Sequence, residues 1–218
     1  MCYYKDFMHK RILLFLITAI LLFYNTSTLS EGPKNYLKGK YFESVKDNFL
    51  IATEKMTDNR FSKTVIVMLE NNEEGAWGLV VNKFLGEMPI ALLIDSSQNT
   101  PEEREKLFKI NIPIYWGGPV DVKTVFILHS NEYKSKTTKK YGNLSISQDY
   151  DILYDIAENK GPEKSLIIFG YSGWGSGQLE GEMERDHWIL SDIDLEIIFD
   201  EKTNKKWHKA FKNSFIKI

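Results

Sequence analysis

The stretch Thr64–Lys83, TVIVMLENNEEGAWGLVVNK, decides the fold class. Thr64–Glu70 is apolar and β-branched, Asn71–Gly75 (NNEEG) is a turn signal, and Ala76–Lys83 is a second apolar run. Two such runs joined by a short polar connection ending in glycine read as a β-hairpin, here with a five-residue loop. The sheet therefore contains at least one antiparallel pair.

Further strands are expected on either side of this hairpin. Phe49–Thr53 (FLIAT) is short and apolar, the segment IPIYW ends in the turn Gly117-Gly118-Pro119, and Thr124–Ser130 (TVFILHS) is a third run. SLIIFGY, Ser165–Tyr171, is continuously apolar, as a strand buried on both faces must be. Helices are expected at Met88–Ile94, after Thr100-Pro101 with acid in the first turn, and over Tyr150–Glu158, stopped by Asn159-Lys160-Gly161-Pro162. A last helix puts Trp207, Ala210, Phe211 and Phe215 on one face and lysines on the other. Asp194–Phe199 reads as strand or short helix, and Lys134–Lys140 as a basic solvated connection. The class is α+β, one domain over 48–218 with a mainly antiparallel sheet flanked by helices.

The amino-terminal residues are of another kind. Met8-His9-Lys10-Arg11 precedes ILLFLITAILLF (Ile12–Phe23), and the small polar stretch YNTSTLSEG follows. A basic flank, a short apolar core and a small-residue exit have the form of a secretory signal peptide. The core is shorter than the about 20 residues of a membrane span. Residues 1–30 are thus expected to be a signal peptide cut near Thr26–Ser30, followed by a linker over 31–47, in a protein of the periplasm or cell envelope. The alternatives are an uncleaved anchor touching the membrane through residues 12–23, and a cytoplasmic protein whose apolar segment packs on the domain. Cys2 is the single cysteine and would leave with the signal, so neither a disulfide nor a thiol nucleophile is expected in the exported protein. The formal charge is −2, which gives no strong overall field for nucleic acid.

The candidate chemistry centres on Gly170–Glu184, GYSGWGSGQLEGEME. A nucleophile elbow needs Gly-x-Ser-x-Gly, but Trp174 occupies the place of the second glycine after Ser172. Ser172 with His129 or His187 as base is the hydrolase alternative. An anion cradle lacks the phosphate-loop lysine, and Glu180, Glu182 and Glu184 load the helix start with like charge. Glu180, Glu184 and His187 have metal-ligand spacing on one helix, without partners from a second helix, and Asp149, Asp151 and Asp155 read as acids at a helix start. Lys134, Lys136, Lys139 and Lys140, beside Tyr133 and Tyr141, are the one basic stretch able to touch nucleic acid. Trp77, Trp116, Trp174, Trp188 and Trp207 are expected to pack in the core or at its rim. The residue reading is therefore a structural turn, with Gly170 and Gly173 allowing close approach or positive φ and Leu179 and Met183 packing inward. No cofactor or metal is expected.

Taken in order, the hairpin with Asn82-Lys83, PIYWGGPVD, VFILHS and IFGYSGWGSGQLEGEMERDHWIL closely resemble the AlgH/YqgE family of bacterial proteins, from about Asn48 to Phe215. The matching positions are Asn82, Gly117, Gly118, Pro119, His129, Gly170, Tyr171, Gly173, Trp174, Gln178, Leu179, Glu180 and Trp188, all of unknown role. The resemblance implies a compact α+β domain of unusual sheet arrangement and no agreed enzymatic activity. Its members are often labelled transcriptional regulators, and alanine frequently stands where this chain has Ser172. Family members usually begin at the domain and look cytosolic, whereas this chain is expected to carry an export signal. The expected function is accordingly a non-enzymatic binding or regulatory domain at the envelope, with a protein or small ligand as partner. A cytosolic regulator touching nucleic acid and a hydrolase using Ser172 or Glu180/Glu184/His187 are the alternatives.

Overall fold

The computed structural model describes residues 45–94, 99–200 and 202–214. The expected signal peptide, most of the linker and Phe215 lie outside the described residues. Among the described residues ten strands form one sheet. They are β1 (Asn48–Ala52), β2 (Val65–Asn72), β3 (Gly75–Val80), β4 (Phe84–Pro89), β5 (Asn111–Trp116), β6 (Val120–Ser130), β7 (Lys139–Tyr141), β8 (Leu144–Ser147), β9 (Ser165–Gly175) and β10 (Trp188–Asp192). Among the described residues four α-helices accompany them, namely α1 (Pro101–Phe108), α2 (Asp151–Ala157), α3 (Gln178–Glu184) and α4 (Thr203–Ser214).

The strand order is β10-β1-β2-β3-β9-β6-β8-β7, with β5 also on β9 and β4 on β5. Every pair is antiparallel except β5–β9. Side chains alternate across the sheet, and both faces are buried. Phe49, Ile51, Val65 and Val67 enter one cluster while Leu50, Ala52, Ile66 and Met68 enter another. The first cluster runs from β1 across to Leu144 of β8 and Leu166 of β9, so the sheet curls around it, and Trp207 and Ala210 of α4 join it. The second lies under Leu179 and Met183 of α3. A third, around Ile127 and Ile167, is covered by Leu107 of α1 and by Ile152 and Leu153 of α2. Burial of this period-two pattern on both faces is the main stabilising term.

Several expectations need correction. The β2–β3 connection is only Glu73 and Glu74, because Asn72 Oδ1 accepts the Glu74 and Gly75 amides at 2.8 and 3.3 Å and closes the turn early. Met88–Ile94 is not a helix. Its first residues finish β4, and only Ile90–Leu92 form a 3-10 turn. Tertiary pairing of β4 with β5 overrides the local pattern there. The basic connection contains β7, which pairs with β8 to make a second hairpin, and Trp188 begins a strand that flanks β1. Glu196–Asp200 is a single π-helical turn. On α4, Lys206 does not face solvent. It is 1% exposed, and its ammonium donates to Val81 O at 3.1 Å and to Ile198 O. Val45, inside the expected linker, is already packed in the core.

Candidate functional site: a backbone crossing and an aromatic groove

The glycine-rich stretch is not a turn after a strand. β9 continues through Gly170, Tyr171, Ser172, Gly173 and Trp174 to Gly175, and the chain turns only at Gly177, whose φ is 71°. β9 changes neighbours along its length. On one side it pairs with β5 at Ile167–Phe169 and with β3 at Ser172–Gly175. The segment leaving β5, Gly117-Gly118-Pro119, crosses β9 where the partner changes. Gly117 N–H donates to Phe169 O at 2.8 Å, and Val80 N–H to Gly117 O at 3.0 Å. A Cβ on Gly117 would stand 2.2 Å from Gly170 O, and one on Gly118 2.2 Å from Tyr171 C and O. Gly170, at φ 70°, lies under the irregular part of β6, with Val120 O 2.9 Å from where its Cβ would be. These glycines let two backbones touch. Gly173 belongs to another class, since its φ is outside the left-handed region and its nearest neighbour would be the Tyr171 ring at 3.2 Å. Strain at Gly173 is therefore no part of the motif.

Ser172 sits at the crossing, fully buried, and its hydroxyl donates to Gly117 O at 2.9 Å. The bond ties β9 to the crossing segment, and His129 is bonded to Ser130 and Ser147 instead of Ser172. Ser172→Ala is expected to cost about 1 kcal/mol, read from a urea denaturation curve, because Gly117 O keeps the Val80 bond.

Trp174 and Trp188 meet edge to face at 5.9 Å. Both indole N–H groups donate to Glu182 Oε2, at 3.0 and 2.8 Å, while Gln178 Nε2 donates to Glu182 Oε1 at 3.0 Å. Pro119, Gln178, Trp174, Trp188 and His187 border a cavity of about 290 Å³ here. Glu180 is 3% exposed and accepts from Asn71 at 3.2 Å, whereas Glu184 is exposed. Glu180, Glu184 and His187 do not converge, and among the described residues no group of three His, Cys, Asp or Glu is arranged to hold a metal. Asn82 is a buried clamp, accepting from Val65 N–H and donating to Lys63 O, both at 2.8 Å.

His129 is likewise internal. Nδ1 lies 2.8 Å from Ser130 O and Nε2 3.0 Å from Ser147 Oγ. Ser147 continues through Thr138 and Ser135 to Asp149. Burial holds the imidazole below its ordinary pKa, only partly offset by the Ser130 carbonyl and the charges of Glu132 and Asp149. The unfolded chain therefore binds a proton first. The contribution of His129 is full above the unfolded value of about 6.5 and is lost as pH falls toward the folded one. Thermal melts are expected to drop between pH 7 and 5.5, with a smaller drop in His129→Gln.

The basic stretch is divided. Lys136 pairs with Asp151 at 2.6 Å, whereas Lys139 and Lys140 belong to β7. Lys139 and Tyr141 instead line a groove of about 580 Å³ between the β2–β3 and β7–β8 hairpins, above Trp77, Phe126 and Tyr171. The Trp77 ring lies 5.9 Å from Tyr171, 6.3 Å from Tyr141 and 5.9 Å from Phe126. Burial, then the Glu70 carboxylate, raises the Tyr141 pKa. Tyr171, Gly173 and Trp174 of the motif border this groove, so the glycine stretch shapes it. Sequence reasoning saw Trp77 as a packing residue and Tyr141 as part of a loop.

The family profile described as DUF179, AlgH-like, matches residues 49–218. The chain belongs to the AlgH-like family. It is 38% identical over 168 residues to a UPF0301 protein of Methylococcus capsulatus, covering 76% of this chain and 89% of that one. It is 41% identical over 155 residues to a UPF0301 protein of Pseudomonas putida, covering 71% and 80%. The solution structure of the AlgH protein from Pseudomonas aeruginosa aligns with a TM-score of 0.64 at 35% identity, covering 80% of this chain and 89% of that one. A protein of Corynebacterium diphtheriae shares the fold, with a TM-score of 0.58 at 14% identity, covering 78% of this chain and 87% of that one. This AlgH-like domain is thus the expected α+β class, with the sheet dominant.

Proposed function

We propose that this AlgH-like chain is a non-enzymatic binding domain of the cell envelope that takes a small ligand in the groove over Trp77. The observation that carries this reading is the groove itself, a concavity of about 580 Å³ walled by half-buried aromatic rings. Concave sites with aromatic walls and a few polar groups are the usual form of ligand pockets, and Asn72, Thr137 and Gln148 supply such groups here. The reading is supported by the use to which two of the candidate catalytic groups are put, since Ser172 and His129 spend their polar atoms inside the protein. The envelope location is supported by the Lys10-Arg11 flank and the apolar run that follows it.

Two measurements test the proposal. The mass of the mature chain recovered from a periplasmic fraction is expected to begin near residue 27–31, and an intact chain in the cytosol would contradict the envelope assignment. In a 1H–15N titration with mixed small fragments, shifts are expected to gather on Trp77, Tyr141 and Tyr171. Turnover of an ester or phosphate substrate that a groove substitution abolishes would replace the binding reading with an enzymatic one.

A further inference from the structure

We infer that the groove selects an organic cation of the quaternary-ammonium class, held by the ring faces of Trp77, Tyr141 and Tyr171 with Glu70 and Glu74 at its rim. This rests on the reading of the groove as a binding site and goes beyond it in naming the ligand's chemistry. Trp77 stands at 88° to Tyr141 and at 79° to Tyr171, and Phe126 stands at 79° to Tyr171. Rings at right angles make a corner rather than a platform. A platform suits a planar base, whereas a corner surrounds a compact group with several negative ring faces, which attract a desolvated cation.

The charge at the rim agrees. Glu70 and Glu74 line the groove, and burial followed by the charge of Glu70 raises the Tyr141 pKa. These carboxylates would repel a phosphate or carboxylate ligand. Lys139 also lines the groove, from the exposed face of edge strand β7. The ammonium and guanidinium contacts with rings among the described residues are Arg60 on Phe61, Lys63 on Trp207 and Lys206 on Tyr115. None of these ring contacts is in the groove.

The test uses the full chain and two probes of the same shape, choline and 3,3-dimethyl-1-butanol, in which carbon replaces the ammonium nitrogen. The Trp77 indole N–H resonance is followed by NMR. Choline is expected to shift it saturably, with the neutral alcohol binding at least about tenfold more weakly. Glu70→Gln is expected to weaken choline binding severalfold at an unchanged unfolding midpoint, and Tyr171→Leu to abolish it. Equal binding of the two probes would overturn the cation inference while leaving the groove a binding site. Failure of both probes would also overturn it. If indole and phenol then left the groove unshifted as well, the binding reading itself would fall.

Discussion

Gly118→Ala is expected to lower stability by about 3–5 kcal/mol. A methyl group at this position would lie 2.2 Å from Tyr171 C and O and 2.3 Å from Ser172 N. These are backbone atoms within β9, which cannot rotate aside as a side chain can. Overpacking of this kind costs about 1–3 kcal/mol. The φ of +153°, which side chains rarely adopt, adds about 1–3 kcal/mol. Gly142→Ala separates the two causes. Gly142 also has positive φ, at 56°, but nothing lies within 4 Å of its Cβ position, so about 1 kcal/mol is expected from conformation alone. Urea denaturation with the m-value held common measures both. Equal, mild effects at the two positions would mean that the crossing can open without loss and that the Gly117-Gly118 contact is incidental.

Glu182→Leu is expected to cost about 3 kcal/mol. Its carboxylate is the acceptor for two indole N–H groups from tryptophans that are 7% and 3% exposed. Leucine fills similar space but leaves both donors without that acceptor, at about 1–3 kcal/mol for each buried donor stranded. Glu182→Gln keeps one acceptor oxygen and is expected to lose about half as much. The loss should appear in thermal melts followed by tryptophan fluorescence, since Trp174 and Trp188 would change environment together. A Glu182→Leu protein as stable as the parent would show that the indoles find other acceptors.

The local signals in the sequence account for a definite part of this structure. Runs that are apolar at every position, such as Val65–Leu69 and Leu166–Phe169, were legible because burial on both faces of a curled sheet leaves no room for polar residues. β8 was not legible. Its four residues LSIS are all buried, yet two are serines. Ser147 is satisfied by His129, Ser135 and Thr138, and Ser145 by Asn131. Nothing local distinguishes serines so used from serines in a loop. β4 was missed because FLGEMP contains both glycine and proline and leaves Phe84 and Leu85 half exposed. Its strand character comes from β5.

The candidate site divides in the same way. Gly170 was visible as a position needing close approach or positive φ, and the crossing gives it that role, whereas Gly117-Gly118 read only as a turn and Gly173 was assigned a freedom it does not use. That β9 runs straight through the stretch was not visible, because four glycines close together carry the usual mark of a turn. Glu182 was seen only as one of three acids at a helix start. The convergence of Trp174 and Trp188 on it comes from the pairing of β10 with β1 and the packing of α3, which no short window of sequence contains. The groove escaped for the same reason. Its walls, Trp77 and Tyr141, come from hairpins far apart in the chain.

Native-state hydrogen exchange at the Val80 and Gly117 amides tests the central claim most directly. These two groups carry the hydrogen bonds that hold the crossing segment between β3 and β9. If the crossing is part of the cooperative core, both amides exchange only through global unfolding, with opening free energies equal to the stability from denaturation. Exchange of either amide through a local opening several kcal/mol cheaper would contradict the account, because a segment that lifts off β9 so easily could not be what the glycines are there to seat.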